Sequence, residues 1–321
     1  KTTKVLVTGP TANMLSVLNG GWTITWQGNE ESAYPQEKNT LLEAIQNKIG
    51  SENVNYVEGT SFDKDINTSK AVSEAKNSDV VILCLGEAAY CETPGSLFDL
   101  TLNKAQLELA NKIIETGKPV IIVMLEGRPR VITEIEPKAK GVLLGFLPGM
   151  EVGDAIADVL FGDVNPSGKL PITYPKTPNG ITLYDYKPIE KYDGNDYNPL
   201  WPFGYGLSYT TFEYSNLKIS SQEITENEEL TVKVDVKNTG NTDGKEVVQL
   251  YLTDKYGSVT RPNKQLKAFE KVMLKSGEVK TVEFKINKQQ LSFIGQDNKR
   301  IVEPGDFVVT IQNHTANFEL K

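Results

Sequence analysis

Two glutamates, Glu87 and Glu92, stand close together in the segment Gly86-Glu-Ala-Ala-Tyr-Cys-Glu-Thr-Pro-Gly-Ser96. Cleavage of a glycosidic bond needs one carboxylic acid to protonate the leaving oxygen and a second carboxylate across the sugar. Two tryptophans, Trp22 and Trp26, occupy the glycine-flanked stretch Gly20-Gly-Trp-Thr-Ile-Thr-Trp-Gln-Gly28. Flat aromatic rings stack on the C–H faces of sugars, a contact that joins apolar burial to weak CH–π attraction. Each pair also has a plainer reading, the glutamates as solvated loop residues and the tryptophans as core packing. Residue type alone leaves both readings open. Other chemistries find little material here. The single histidine, His314, and two cysteines, Cys84 and Cys91, give a zinc site or a Ser–His–Asp triad almost nothing to build on. Cys84 lies in an apolar run and Cys91 in the loop behind it, which reads as one buried and one loop thiol rather than a disulfide. No metal or organic cofactor is implied.

Bulk properties narrow the partners. A net charge of −8 argues against nucleic acid or an anionic membrane surface, because binding phosphates takes clustered Lys and Arg. A neutral ligand suits such a surface better. No apolar run reaches the roughly 18 residues needed to cross a bilayer. The opening Lys4-Val-Leu-Val-Thr-Gly-Pro10 has the form of a strand and glycine turn, as at a nucleotide site. It lacks G-x-G-x-x-G, however, and Pro10 removes an amide that a pyrophosphate would use. A nucleotide-binding oxidoreductase is therefore disfavoured.

The elements that must carry these residues fall into two textures. Over residues 1–175 short apolar runs alternate with helical patterns, the signature of parallel strands joined by crossover helices. Strands are predicted at 4–8, 54–57, 80–85, 120–124 and 141–146, rich in Val, Ile and Leu without alternation, as strands covered on both faces should be. Thr40-Leu-Leu-Glu43 is a capping box opening a helix that Gly50 can end. Residues 103–115 read as a second helix, with Leu107, Ala110, Ile113 and Ile114 on one stripe, and 151–161 as a third closed by Gly162. The Glu87–Glu92 loop leaves the C-terminal end of a central strand, where open α/β sheets place their ligands. Residues 176–211, rich in Tyr, Pro, Asn and Gly, read as an ordered linker. From 212 to 321 the apolar period becomes two, as in Leu230, Val232, Val234 and Val236, which predicts a β-sandwich. The fold class is thus α/β, a mostly parallel sheet with helices on both faces, followed by a β-sandwich.

Several motifs, taken in order, resemble a known family. Gly20–Gly28, the Glu92-Thr-Pro-Gly95 loop, Glu126-Gly-Arg-Pro129, Leu147-Pro-Gly-Met-Glu-Val-Gly153, Leu160-Phe-Gly-Asp163, Pro166-Ser-Gly-Lys-Leu-Pro171 and Pro202-Phe-Gly-Tyr-Gly-Leu-Ser-Tyr209 are similar to the second domain of family 3 glycoside hydrolases. Val236-Lys-Asn-Thr-Gly240, Gly244-Lys-Glu-Val-Val-Gln-Leu-Tyr-Leu252, Arg261-Pro-Asn-Lys-Gln-Leu-Lys-Ala-Phe269 and Pro304-Gly305 resemble its fibronectin-III-like third domain. The likeness covers essentially the whole chain.

The resemblance implies a retaining, exo-acting β-glucosidase or exo-β-glucanase acting on β-glucans or β-gluco-oligosaccharides. In that family an N-terminal (β/α)₈ barrel holds the sugar and supplies an aspartate nucleophile, while the α/β domain lends the general acid/base from a loop. That glutamate falls on Glu92, with Glu87 as the alternative acid, and Trp26 falls on a tryptophan flanking the departing sugar, with Trp22 the second candidate. Glu92 is expected to sit partly buried beside Trp26. Glu87, next to the strand end, is expected to be tied to backbone amides of its turn. Arg128, Asp163 and the turn at 204–209 read as structural. No barrel precedes Lys1 in this sequence, so the chain is expected to be inactive alone, with a barrel supplied in cis or by a separate chain. A non-catalytic carbohydrate-binding or scaffold protein is the alternative. No signal peptide is visible before the first strand, so localisation is not read from the terminus; the resemblance favours an extracellular or periplasmic one over the cytoplasm.

Overall fold

The computed structural model describes residues 3–180, 183–187 and 197–321. The chain forms two compact units, one of Lys1–Val164 with Pro175–Gly180, the other of Asn165–Tyr174 with Ile181–Lys321. Within the linker expected at 176–211, residues 181–182 and 188–196 lie outside the described residues.

The first unit runs β1 (Val5–Thr8), α1 (Leu41–Ile49), β2 (Val54–Val57), α2 (Thr68–Asn77), β3 (Val80–Gly86), α3 (Lys104–Ile114), β4 (Val120–Leu125), β5 (Gly141–Leu144) and α4 (Val152–Phe161). Its five strands are parallel, in the order β2-β1-β3-β4-β5. Continuous apolar sequence in β3 and β4 follows from that position. Val81 to Leu85 and Ile122 to Leu125 are buried without a break, as strands covered on both faces must be. The chain adds β2 on one side of β1 and β3 on the other, so the direction of winding switches between β1 and β3. Loops leaving the carboxyl ends of strands at such a switch diverge and open a crevice.

Local signals account for most boundaries. Thr40 and Glu43 form a complete capping box: Thr40 Oγ1 accepts the Glu43 amide at 3.2 Å and Glu43 Oε2 accepts the Thr40 amide at 2.8 Å. Thr40→Ala leaves the Glu43 amide without its cap and is expected to cost about 1 kcal/mol in urea denaturation. The strand predicted to reach Phe146 ends two residues earlier, because Phe146 takes a left-handed φ of 57° that no strand continues. Helix α2 was not predicted from the sequence; its buried face is only Thr68, Ala71 and Ala75, too little apolar surface to read as a stripe.

Helix α3 also departs from expectation in its inner face, which is Gln106, Leu109, Ala110 and Ile113; Leu107 and Ile114 are only partly covered. A buried glutamine needs partners, and Gln106 finds them at the end of β3. Its Oε1 accepts the Gly86 amide and its Nε2 donates to the Gly86 carbonyl, both at 3.0 Å. Gly86 permits the approach: φ is +147°, and a Cβ there would lie 1.8 Å from the Leu125 carbonyl oxygen. The residue before Glu87 is thereby fixed from both flanks.

The second unit is built on strands β6 (Phe212–Ile219), β7 (Glu223–Ile224), β8 (Leu230–Asn238), β9 (Gly244–Asp254), β10 (Gln265–Leu274), β11 (Val279–Ile286), β12 (Phe293–Ile294), β13 (Arg300–Ile301), β14 (Gly305–Ile311) and β15 (His314–Leu320). Two sheets, β10-β9-β14-β15-β7 and β11-β8-β6, enclose one core, with β12 and β13 as a small ribbon. The period of two in the sequence is the inward-facing row: Leu230, Val232, Val234 and Val236 of β8 are all buried, with exposed or half-buried residues between. The one helix among the described residues of this unit is the single turn Lys288–Leu291. Residues 165–174 run with this unit, tied by a Lys169–Glu246 ion pair at 3.1 Å and an Asn165 bond to the Asp243 carbonyl at 3.0 Å.

Candidate functional site

Five loops leave the carboxyl edge of the first unit's parallel sheet, one after each strand, and the sequence-selected residues are on those after β1 and β3. The loop after β1 closes on itself, with the Trp22 amide donating to the Trp26 carbonyl at 2.8 Å and Tyr34 Oη anchoring the Gly28 carbonyl at 2.7 Å. Both tryptophans point outward, Trp22 being 70% and Trp26 49% exposed. Core packing is therefore not their role. Holding them this way strains the backbone, since Trp22 and Ile24 take φ values of 60° and 63°, which L-residues rarely adopt.

Glu87 and Glu92 have opposite surroundings. Glu87 is almost wholly covered. Its Oε1 accepts Arg128 Nε at 3.0 Å, Arg128 Nη2 at 2.7 Å and Arg130 Nη1 at 3.2 Å, while its Oε2 accepts the Arg128 amide at 3.0 Å. The expected tie to backbone amides is thus one amide, from the loop after β4 rather than from its own turn, joined by two guanidiniums. Arg128 continues the linkage: its guanidinium lies 3.7 Å over the Tyr90 ring, and Nη1 donates to the Gly95 carbonyl. Burial pushes the Tyr90 hydroxyl above its ordinary range, Glu87 adding to the rise and the two arginines opposing it. The reading of Arg128 as structural agrees with this geometry.

Glu92 is exposed, at the apex of the loop after β3, with φ 52° and ψ −148°. The partial burial expected for it is absent among the described residues: Glu92 and the two residues after it, at the start of the 3₁₀ turn Thr93–Gly95, are all exposed. What the fold does bring together is its neighbour and the tryptophan loop. Cys91 Sγ donates to the Trp26 carbonyl at 3.1 Å, the Cys91 amide donates to Gln27 Oε1 at 3.0 Å, and Gln27 Nε2 donates to Cys91 Sγ at 3.2 Å. Gly21 lets the two backbones touch, since a Cβ there would fall 2.5 Å from both Cys91 Cβ and the Tyr90 carbonyl oxygen. Desolvation raises the Cys91 thiol, with Glu92 adding and the Gln27 bond opposing, so it remains a protonated donor near neutral pH. Cys84 is fully buried, and both cysteines are free thiols. Around these residues Ile24, Leu97, Phe98 and Leu147 are also exposed, Phe98 completely.

His314 belongs to the second unit, where its Nε2 is 2.8 Å from the Tyr214 carbonyl oxygen. Among the described residues no cluster of His, Cys, Asp and Glu could hold a metal ion, and no helix is long and apolar enough to cross a membrane.

Comparison with known proteins gives this edge of the sheet a context. Residues 1–209 match the model of the glycosyl hydrolase family 3 C-terminal domain. The chain belongs to glycoside hydrolase family 3. Residues 246–315 match a fibronectin type III-like domain, in agreement with the second unit's sandwich. Among curated family 3 relatives, a lysosomal beta glucosidase of Dictyostelium discoideum is 38% identical over 99% of this chain and 40% of its own length. A beta-xylosidase of Formosa agariphila is 40% identical over 90% of this chain and 42% of its own length. The crystal structure of a beta-glucosidase from Listeria innocua with isofagomine superposes with a TM-score of 0.87 at 32% identity, over 99% of this chain and 46% of that one. The chain therefore spans less than half the length of these family 3 proteins. Its family and both domain types are those that the motifs implied.

The sequence reading missed Gln27 and Gln106. For Gln106 the available signal was its helical spacing with Leu109, Ala110 and Ile113, which turns it inward; Gln27 lies in a loop among polar residues and glycine, where no period points to it.

Proposed function

We propose that this chain contributes the general acid/base and the leaving-group subsite of a retaining exo-acting β-glucosidase or exo-β-glucanase. Glu92 is the acid/base, Trp26 flanks the departing sugar with Trp22 beside it, and a family 3 barrel, in cis or as a separate chain, supplies the aspartate nucleophile. The observation that carries this reading is the contrast between the glutamates: Glu87 is spent on Arg128 and Arg130, whereas Glu92 is free at a loop apex joined to the Trp26 loop through Cys91. The exposed rings and aliphatic side chains around it support a face that another domain covers, because patches of this kind are rare on surfaces left to water. Such cover would supply the burial that Glu92 lacks here.

The chemistry follows in two steps. The nucleophile's carboxylate attacks the anomeric carbon as Glu92 delivers its proton to the leaving oxygen, giving a glycosyl-enzyme and a free alcohol. Glu92, now a carboxylate, takes a proton from water as that water displaces the enzyme's aspartate, returning β-glucose. Retention requires the two carboxyl groups to stand about 5–5.5 Å apart. β-Glucans and β-gluco-oligosaccharides are the substrates this reading favours. No metal or organic cofactor enters either step.

One assay tests the division of labour. The purified chain, given an aryl β-glucoside, should release no phenol above background, since each step needs both carboxyl groups. Mixing with, or fusion to, a family 3 barrel should restore turnover. Turnover by the chain alone that vanishes on Glu92→Gln would reveal a nucleophile within these residues and overturn the proposal.

A further inference from the structure

Glu92 adopts a backbone conformation that a side chain normally avoids, with φ 52° and ψ −148°. This region belongs almost entirely to glycine, so a glutamate stays there only if the residues on both sides are fixed. On the C-terminal side they are. The Gly95 amide bonds to the Glu92 carbonyl at 2.9 Å, the Ser96 amide bonds to the Thr93 carbonyl at 3.0 Å, and the Arg128 guanidinium holds the Gly95 carbonyl. On the N-terminal side Cys91 is held from a different loop, its amide by the Gln27 side chain and its thiol by the Trp26 carbonyl.

We propose that Gln27 is a positioning residue for Glu92, setting the direction of the acid/base carboxyl through Cys91. The inference rests on the reading of Glu92 given above. Both ends of the Gln27 amide are used on the same residue. Oε1 takes the Cys91 amide, fixing the peptide that leads into Glu92, and Nε2 meets Cys91 Sγ, whose hydrogen goes to the Trp26 carbonyl. The donors and acceptors match around this ring: amide to carboxamide oxygen, carboxamide nitrogen to sulfur, thiol to carbonyl. Glycine at 21 allows the close backbone contact, as a Cβ would collide with Cys91 Cβ. Release of the Cys91 peptide would let Glu92 relax into the broad β region, turning its carboxyl away from the crevice. The same bonds connect Trp26 to Glu92, so Gln27 also sets the spacing between the leaving-group subsite and the proton donor.

Two measurements on Gln27→Met, which keeps length and loses the amide, test this. Cys84 is fully buried, so in the folded chain Ellman's reagent reports on Cys91 alone. Loss of the clamp should speed Cys91 labelling about tenfold, the scale of one hydrogen bond, with the far-UV circular dichroism of the folded chain unchanged. In the enzyme that includes its barrel, kcat for a glucoside with a poor leaving group should fall about 10- to 100-fold, KM should change less than about twofold, and an activated aryl glucoside should suffer less. Cys91→Ser, which keeps the amide and a hydroxyl donor, should retain most of the activity. Unchanged labelling of Gln27→Met would overturn the clamp whatever Glu92 does. Faster labelling with undiminished cleavage of poor leaving groups, beside a Glu92→Ala control that collapses, would overturn the positioning role and leave Glu92 standing. A Glu92→Ala control without effect would instead remove the reading on which the inference rests.

Discussion

Glu87→Ala is expected to lower the unfolding free energy of the first unit by about 3–5 kcal/mol, the usual loss when one partner of a buried ion pair is removed. The size comes from what is left behind. Glu87, Arg128 and Arg130 have side chains that are 8%, 26% and 10% exposed, so two guanidiniums would lose the carboxylate that compensates their burial. The Arg128 amide would lose its acceptor as well. Glu87→Gln, which keeps an oxygen for that amide but no charge, should cost less. Urea denaturation followed by circular dichroism measures both, with the second unit fitted as a separate transition. In the folded fraction of a complete enzyme, Glu87→Ala should leave the catalytic pH profile nearly unchanged, because the carboxylate is enclosed by arginines and not offered to a ligand. A loss below about 1 kcal/mol would mean that the network is redundant.

The second large effect concerns rate rather than stability. In an enzyme carrying its barrel, Glu92→Ala should reduce kcat/KM for glucosides with poor leaving groups by about 10²–10⁴-fold, the range for losing a general acid. An activated aryl glucoside, whose phenolate departs without protonation, should be slowed less in the glycosylation step and then stall at deglycosylation, where the same residue is the base. Burst kinetics would reveal that change of rate-limiting step. Stability should not fall, as Glu92 is exposed and alanine bears the same Cβ penalty at φ 52° that glutamate does, a penalty that only glycine would relieve.

Much of this was legible before any coordinates, for identifiable reasons. Unbroken aliphatic runs such as Val80 to Leu85 can be satisfied only by strands covered on both faces, so the central sheet could be read directly. Alternation through Leu230, Val232, Val234 and Val236 needs one wet face and one dry, which gives the sandwich. The capping box at Thr40 is local and was readable for that reason. What escaped the sequence was set by distant partners. Helix α2 presents only small residues to the core, and α3 turns Gln106 inward because the end of β3 has an amide and a carbonyl to satisfy. At the site, the tryptophans and glutamates could be nominated by chemistry, but their environments depend on loops far apart in sequence. Glu87 is held by Arg128 and Arg130, some forty residues on, and Cys91 by Gln27, 64 residues back. The expected shelter of Glu92 by Trp26 is not found, as sequence adjacency to Cys91 brings the backbone near but leaves the carboxyl in water.

The central claim is that Glu92, and not Glu87, is the acid/base. Azide decides it, being a nucleophile that needs no general base and can replace the base-activated water in the second step. Glu92→Ala and Glu87→Ala would each be made in the enzyme with its barrel and assayed on an activated aryl β-glucoside with and without sodium azide. The account predicts that azide accelerates Glu92→Ala severalfold or more, with β-glucosyl azide as the product, and leaves the folded fraction of Glu87→Ala unaffected. Rescue and glycosyl azide formation with Glu87→Ala, and neither with Glu92→Ala, would contradict it.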